Sequence, residues 1–252
     1  MASPHPEADS PYHHPGESMS MYLPLKVNPL RNWSYKKLKM YRKCPFSVRL
    51  KYIERIPEPD PDPKYDAKRQ RGIMLHEKLA EAINRGAPVP KEAEHFEDVA
   101  LALRAKGAVA ELEEFFDRQW NPVEGWDNAW VQVIKDVRLR TPEFSLVGDW
   151  KSGRKHGNEM DHFEQMKLYA VSEWIINPGL PEYTTELYYL DQDETWSHTF
   201  KPDKLEVYLG DFERDVNTMF ADLIFRPKPS KFNCQYCPYG PQRGNGRCPV
   251  GV

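Results

Sequence analysis

One cysteine near the start of the chain and three near its end constrain the fold more than any other feature. Cys44 stands alone, whereas Cys234-x-x-Cys237 and Cys248 share one Pro- and Gly-rich stretch of a 252-residue chain. No run of 18 apolar residues and no apolar signal core is present, so no membrane span is expected. The expected compartment is the cytoplasm (the host's, if the protein is phage-encoded), where a disulfide framework does not persist. Four thiolates there point to a metal or redox site, either structural Zn²⁺ or an iron–sulfur cluster. Zinc ribbons pair their cysteines locally. One distant ligand with three local ones is unlike them and leans to a cluster, against the bland alternative of four unrelated buried thiols. By chain entropy such a staple stabilises by about 5 kcal/mol at most, and it makes the two ends of the sequence neighbours.

Between the staples the periodicity changes repeatedly. Residues 1–22, rich in Pro, His, Ser and Glu, read as a disordered tail. Ser34 reads as the N-cap of a helix ending near Cys44, and Pro45 as the first residue of a second helix to about Ile53. Residues 57–66 form an acidic, proline-rich linker. Helices are predicted over about 70–85 and 91–118, then strands over 129–139 and 143–151 around a Thr141-Pro142 turn. A helix over 160–176, strands over 183–191 and 194–200, and a helix over 203–224 complete the chain. This order argues for one α/β domain over 23–252, a mixed sheet flanked by helices, with the cysteine site joining its N- and C-terminal segments. It divides into a helical part (33–125), an α/β core (126–200) and a C-terminal helix with the cysteine loop (201–252).

The chemistry concentrates at the end of the second predicted strand, in Gly148-Asp149-Trp150-Lys151. Residues two apart on a strand share a face, so Asp149 and Lys151 project together. Asp136 lies on the partner strand, where antiparallel pairing brings it toward Asp149. Two carboxylates that close repel unless a dication lies between them, and Mg²⁺ is held by a few carboxylates, water and substrate phosphate. Lys151 would then orient the attacking water and offset transition-state charge. An Asp-x-Lys triplet is cheap: Asp62-Pro63-Lys64 and Asp66-Ala67-Lys68 are decoys in the linker. Only the copy at 149–151 follows an apolar strand. Gln165 and Tyr169, four apart on the next helix, share a face near that strand end, and His76 lies on the 70–85 helix.

The net charge of −3 does not mark the whole molecule as a polyanion binder. Locally, Lys36, Lys37, Lys39, Arg42, Lys43, Arg49 and Lys51 interleave with Trp33, Tyr35, Tyr41, Phe46 and Tyr52, the mixture that phosphate contact and base stacking need. The plainer reading is a solvated helix face over a buried aromatic stripe.

Taken together, these residues resemble the iron–sulfur branch of RecB-like PD-(D/E)XK nucleases, the nuclease domain of AddB and the CRISPR-associated RecB-like exonucleases. The resemblance runs from Ser34-Tyr35-Lys36-Lys37-Leu38 through Tyr41-Arg42-Lys43-Cys44-Pro45-Phe46, Gly72-x-x-x-His76, Asp136, Gly148-Asp149-Trp150-Lys151-Ser152-Gly153 and Gln165-x-x-x-Tyr169 to Cys234-x-x-Cys237 and Cys248, over about residues 33–248. It implies a restriction-endonuclease-like core and a DNA exonuclease using Mg²⁺ or Mn²⁺. His76, Asp136, Asp149 and the Trp150 carbonyl would be metal ligands, Lys151 the catalytic lysine, and Gln165 and Tyr169 the holders of the active site and DNA backbone. Lys36, Lys37, Lys39, Tyr41, Arg42 and Lys43 would meet DNA, which is expected to be single-stranded or to offer free ends. Cys44, Cys234, Cys237 and Cys248 would hold a structural [4Fe–4S] cluster. Ten residues separate Cys237 from Cys248, longer than expected in this group. No G-x-x-x-x-G-K-[ST] motif occurs, so a helicase or a recombination, repair or CRISPR partner would be a separate chain. The competing readings are a non-catalytic nucleic-acid-binding module and a zinc-stabilised interaction protein. The second leaves His76, Gln165 and Tyr169 unexplained.

Overall fold

Apolar alternation toward the two ends of β4 (Val131–Arg140) and the almost continuously buried β5 (Ser145–Lys151) build the middle of a seven-stranded mixed sheet. The computed structural model describes residues 23–242 and 244–252, so the tail expected over 1–22 lies outside the described residues. β1 (Trp33–Ser34) pairs parallel with the start of β4 and leads into α1 (Tyr35–Lys43). Ser34 occupies the N-cap position, but its side chain accepts no capping hydrogen bond. Cys44 ends α1 in extended backbone, and Pro45 opens α2 (Pro45–Val48), which continues through a π-helical turn, Arg49–Ile53.

Two expectations change. α3 spans Pro63–Arg85, so the last four residues of the expected linker are helical. Asp62 caps it by accepting the Lys64 N–H at 2.8 Å, and Pro63 fits the first turn, where its missing N–H costs nothing. The two decoy Asp-x-Lys triplets therefore lie at a helix start. The helix expected over 91–118 is replaced by a 3₁₀ segment (Lys91–Phe96), α4 (Glu97–Ala105) and strand β2 (Val109–Phe116). Glu111-Leu112-Glu113-Glu114 favours helix by propensity, but pairing with β4 along nearly its whole length overrides that preference.

Beyond β3 (Pro122–Val123) and β5 come α5 (Glu159–Ile176), the hairpin β6 (Tyr183–Tyr189) and β7 (Glu194–Phe200), α6 (Pro202–Ala221) and the short α7 (Lys231–Cys234). The strand order is β3-β2-β4-β5-β6-β7, with β5 parallel to β6 and the remaining neighbours on this path antiparallel. Helices cover both faces. α3, the 3₁₀ segment and α4 pack Leu75, Leu79, Ile83, Phe96 and Leu103 on one face against Val137, Leu146 and Trp150. α1, α5 and α6 pack Leu38, Leu168, Val171, Leu205 and Phe212 on the other against Val131, Val133 and Val147.

A strict period of two would keep Val131, Val133, Val137 and Leu139 on one face, yet the first pair and the second pair enter opposite cores. The face switches between Lys135 and Val137. Lys135, fully buried, pairs with Glu114 and lies 2.6 Å from Glu173 of α5. Arg140 places its guanidinium on both Glu173 oxygens at 2.8 Å, and the Ser145 hydroxyl donates to Glu173 at 2.9 Å. Burial alone would raise the Glu173 pKa, but Lys135 and Arg140 outweigh it and hold the carboxyl down at about 2. Because the folded value lies below the ordinary 4.5, this contribution is complete above about pH 4.5 and is lost as pH falls toward 2. Glu173→Gln should destabilise the fold by about 3 kcal/mol at pH 7, since it leaves Lys135 buried with one carboxylate fewer. Urea unfolding at pH 7 and pH 3 should show that gap narrowing in acid.

Candidate active site

The β4–β5 ladder ends at Val137 opposite Gly148, and the next two residues are Asp136 and Asp149. Gly148 is required by packing: a Cβ there would lie 2.6 Å from Val137 Cγ1 and 2.7 Å from the Tyr188 ring. With no ladder partner at its end, the Trp150 N–H donates instead to Asp136 Oδ2 at 2.7 Å. Asp136 is thereby fixed beside Asp149. Both carboxylates are buried, and burial followed by the Asp149 charge raises the Asp136 pKa.

Asp149 and Lys151 project together toward α5, as strand geometry requires. Lys151 Nζ lies 2.6 Å from Asp149 Oδ2 and donates to Gln165 Oε1 at 2.8 Å. Asp149 Oδ1 accepts from Tyr169 Oη at 2.6 Å and from Gln165 Nε2 at 3.2 Å. Gln165 Nε2 also donates to Tyr169 Oη at 2.6 Å. The four-residue spacing on α5 thus converts directly into a closed network around one carboxylate. Tyr169 is buried, and burial followed by the Asp149 charge drives its pKa upward, so it remains a donor. Asp149 Oδ2 is buried and has ion contact with Lys151 but no hydrogen bond of good geometry.

From the opposite face α3 delivers His76, whose Nδ1 lies 3.3 Å from Asp136 Oδ2. Gly72 lets α3 come this close: a Cβ would sit 2.8 Å from Ser152 Oγ, just beyond β5. Burial would lower the His76 pKa, but the Asp136 hydrogen bond and charge, with Asp149 and Glu111 behind them, raise it overall.

Glu111 is the residue that reasoning from sequence missed. It falls in the segment expected to be helix, and it stands opposite Asp136 at a gap in the β2–β4 ladder. Its φ of 56° lies in the left-handed region, rarely adopted by a non-glycine residue and a source of local strain. That backbone kink accompanies close approach: ligand atoms of His76, Glu111 and Asp136 all lie within 4.8 Å of one another. Burial and then the Asp136 charge raise the Glu111 pKa. One imidazole and two carboxylates, from His76, Glu111 and Asp136, form a donor set that fits a hard or borderline dication such as Mg²⁺ or Mn²⁺, whereas Asp149 lies outside that group and its Oδ2 faces Lys151. The Trp150 indole is turned away, 4.6 Å from the Tyr188 ring, leaving only its main chain at the strand end.

The four cysteines also converge. All are free thiols. Cys237 and Cys248 each feel Cys44 and Cys234, and burial, then those neighbours, raises both thiol pKa values. The Lys228 N–H donates to Cys44 Sγ at 3.5 Å, and Cys44, Cys237 and Cys248 pack around Phe46, Leu50 and Tyr239. Asn233 Nδ2 bonds the Lys43 carbonyl at 3.0 Å, and Tyr239 Oη bonds the Ile56 carbonyl at 3.2 Å. Among the described residues no three of these sulfurs lie within 4.8 Å of one another, the separation that His76, Glu111 and Asp136 reach.

The basic, aromatic stretch departs from expectation. Lys37 is buried, donates to Asn32, and lies 4.8 Å over the Tyr52 ring, burial lowering its pKa to about 8. Tyr41 is buried and donates to Asp222 Oδ2 at 2.9 Å. Trp33 and Phe46 are core residues. Arg42 is held by Glu164 and Asp215, and Lys39 by Asp161 at 2.8 Å. Lys37 and Tyr41 are therefore corrected from DNA-facing to packing positions, because α1 must bury a stripe against α5 and α6. Lys36 and Lys43 are exposed.

Residues 32–148 match the model of the PD-(D/E)XK nuclease superfamily, a span that takes in His76, Glu111 and Asp136 and ends at Gly148. No curated protein matches the chain. Among solved structures, the protein SSO0001 is 13% identical, with 90% of each chain covered and a TM-score of 0.40. A candidate exonuclease from Eubacterium rectale is 11% identical, covering 75% of this chain and 80% of its own, also at a TM-score of 0.40. The mixed sheet flanked by helices is consistent with a PD-(D/E)XK core, to whose superfamily model just under half of the chain is similar.

Proposed function

We propose that this protein is a metal-dependent DNA exonuclease of the iron–sulfur RecB-like kind, acting on single-stranded DNA. The observation that carries the reading is the Asp149 network, in which one buried carboxylate is fixed by Tyr169 and Gln165 and touches Lys151. In it His76, Glu111, Asp136, Asp149 and the Trp150 carbonyl hold Mg²⁺ or Mn²⁺. The dication supplies charge neutralisation at the scissile phosphate and a more acidic water. Lys151, poised by Gln165, orients the attacking water and offsets negative charge as it grows on the phosphate oxygens. Gln165 and Tyr169 prevent Asp149 from rotating, which keeps the ligand geometry fixed through turnover. A non-catalytic binding module would have no use for so complete a set. Cys44, Cys234, Cys237 and Cys248 hold a structural [4Fe–4S] cluster that ties the chain ends.

Asp149→Ala and Asp136→Ala should each lower cleavage of labelled DNA by at least about 100-fold, while DNA binding measured by fluorescence anisotropy in Ca²⁺ largely survives. Substantial Mg²⁺-dependent cleavage by Asp149→Ala would sink the site assignment.

Protein purified without oxygen should be brown, with iron and sulfide in cluster stoichiometry. Cys44→Ala should lose the colour and melt at a lower temperature by circular dichroism. Colourless protein with one equivalent of zinc would reject the cluster in favour of structural zinc.

Linear single-stranded DNA should be degraded, and covalently circular single strands should be resistant under the same Mg²⁺ conditions. Equal cutting of both would show an endonuclease. Binding should weaken steeply with salt, as counterion release demands.

A further inference from the structure

Gln165 and Tyr169 give their polar atoms to Asp149, Lys151 and each other, so neither is left to meet a substrate. One turn earlier on the same face of α5 is His162; positions 162, 165 and 169 form a single stripe. Its Nδ1 lies 2.7 Å from the Tyr189 hydroxyl, with the two rings 5.7 Å apart. Tyr189 is the register partner of Lys151 across the β5–β6 pair, so His162 stands beside the lysine at the centre of the site. The charges of Lys151 and Asp149 both reach it.

The tautomer follows from what the phenol needs. Tyr189 is fully buried, and His162 Nδ1 is the hydrogen-bonding partner of its hydroxyl among the described residues. A buried phenol proton without an acceptor is costly, so the hydroxyl donates to Nδ1 and the ring proton lies on Nε2. Burial, then the Lys151 charge, lowers the His162 pKa to about 4, which makes the ring neutral near pH 7. A neutral imidazole is a donor that adds no positive charge to compete with Lys151 for Asp149. Among the described residues Nε2 has no partner, and it is open to solvent.

We infer that His162 Nε2–H donates a hydrogen bond to a non-bridging phosphate oxygen of the DNA backbone beside the scissile linkage, as a substrate-positioning contact. This rests on the nuclease reading above. A site with Asp136 and Asp149 at its floor repels phosphate, so the backbone needs donors, and Lys151 is already engaged with Asp149 and Gln165. As a neutral donor His162 positions the strand and does not protonate the leaving oxygen.

The experiment compares wild type, His162→Ala and His162→Gln on single-stranded oligonucleotides in Mg²⁺, each oligonucleotide carrying one uncharged methylphosphonate linkage at a different position. On unmodified DNA, His162→Ala should lower kcat/KM about 10-fold, the loss expected for one hydrogen bond, and His162→Gln should recover most of it. His162→Gln, which keeps an acceptor for the Tyr189 hydroxyl, should hold the wild-type thermal midpoint, His162→Ala should melt lower, and both should keep the wild-type Mn²⁺ affinity by calorimetry. One linkage beside the cut should penalise wild type but leave the Ala variant no slower than on unmodified DNA, the signature of a lost pairwise contact. Cleavage by His162→Ala at the wild-type rate, or equal penalties for both proteins at every linkage, would overturn this assignment alone. If wild type cuts no oligonucleotide in Mg²⁺ or Mn²⁺, the nuclease reading falls and this inference with it.

Discussion

Two carboxylates buried side by side govern the rest of this structure. Charges taken out of water are costly unless something answers them, and Asp136 and Asp149 are answered from every direction. Lys151 comes from the same strand, His76 from a helix on one face of the sheet, and Tyr169 with Gln165 from a helix on the other. Even the main chain participates, because the Trp150 N–H left over at the end of the β4–β5 ladder is spent on Asp136. The positive charge and hydrogen bonds do not satisfy everything: Asp149 Oδ2 remains without a hydrogen bond. A site tuned only for stability would have no reason to keep that atom waiting.

The same strand holds a second buried charge system, and comparison of the two is instructive. Lys135, the neighbour of Asp136, enters a network with Glu114, Glu173 and Arg140 in which every carboxylate meets a cation. Its effect on Glu173 is to lower the pKa, whereas the effect of the neighbouring site on Asp136 is to raise it. One network is charge-balanced and the other is short of cations. The change of face between Lys135 and Val137 lets β4 serve both, sending Lys135 toward α5 while Asp136 meets α3. Strain at Glu111, directly across the ladder, is the local cost of that switch.

Much of this was legible in the sequence, for definite reasons. Asp149, Lys151, Gln165 and Tyr169 were found because strand and helix periods of two and 3.6 directly state which side chains share a face. Gly72 and His76 could be recognised as a pair, although only the packing against Ser152 explains the glycine. Glu111 was hidden because its segment is rich in Glu and Leu, residues whose local preference is helical, and the long-range pairing with β4 decides otherwise. The basic stretch misled for the opposite reason. A run of Lys, Arg and aromatics looks the same whether it faces solvent or acids, and the acids that neutralise it, Asp161, Glu164 and Asp215, lie far along the chain.

Those acids connect the cysteine site to the carboxylate site. α1 ends at Cys44, and on its last turns Arg42 grips Glu164, the residue immediately before Gln165, while the Tyr35 hydroxyl donates to the Asp161 carbonyl at 2.5 Å. Each exposed or half-exposed ion pair contributes little alone. Their placement matters more than their strength, because they fix α1 along the stretch of α5 that orients Lys151 and Asp149. The loop carrying Cys234, Cys237 and Cys248 is tied to that same C-terminal end of α1 by Asn233 on the Lys43 carbonyl and Lys228 on the Arg42 carbonyl. Contact thus runs unbroken from the cysteine loop through the end of α1 to Glu164, the neighbour of Gln165 on α5. The hydrogen bonds of the cysteine loop tie the two ends of the described chain together, and through α1 they reach the helix that carries Gln165 and Tyr169.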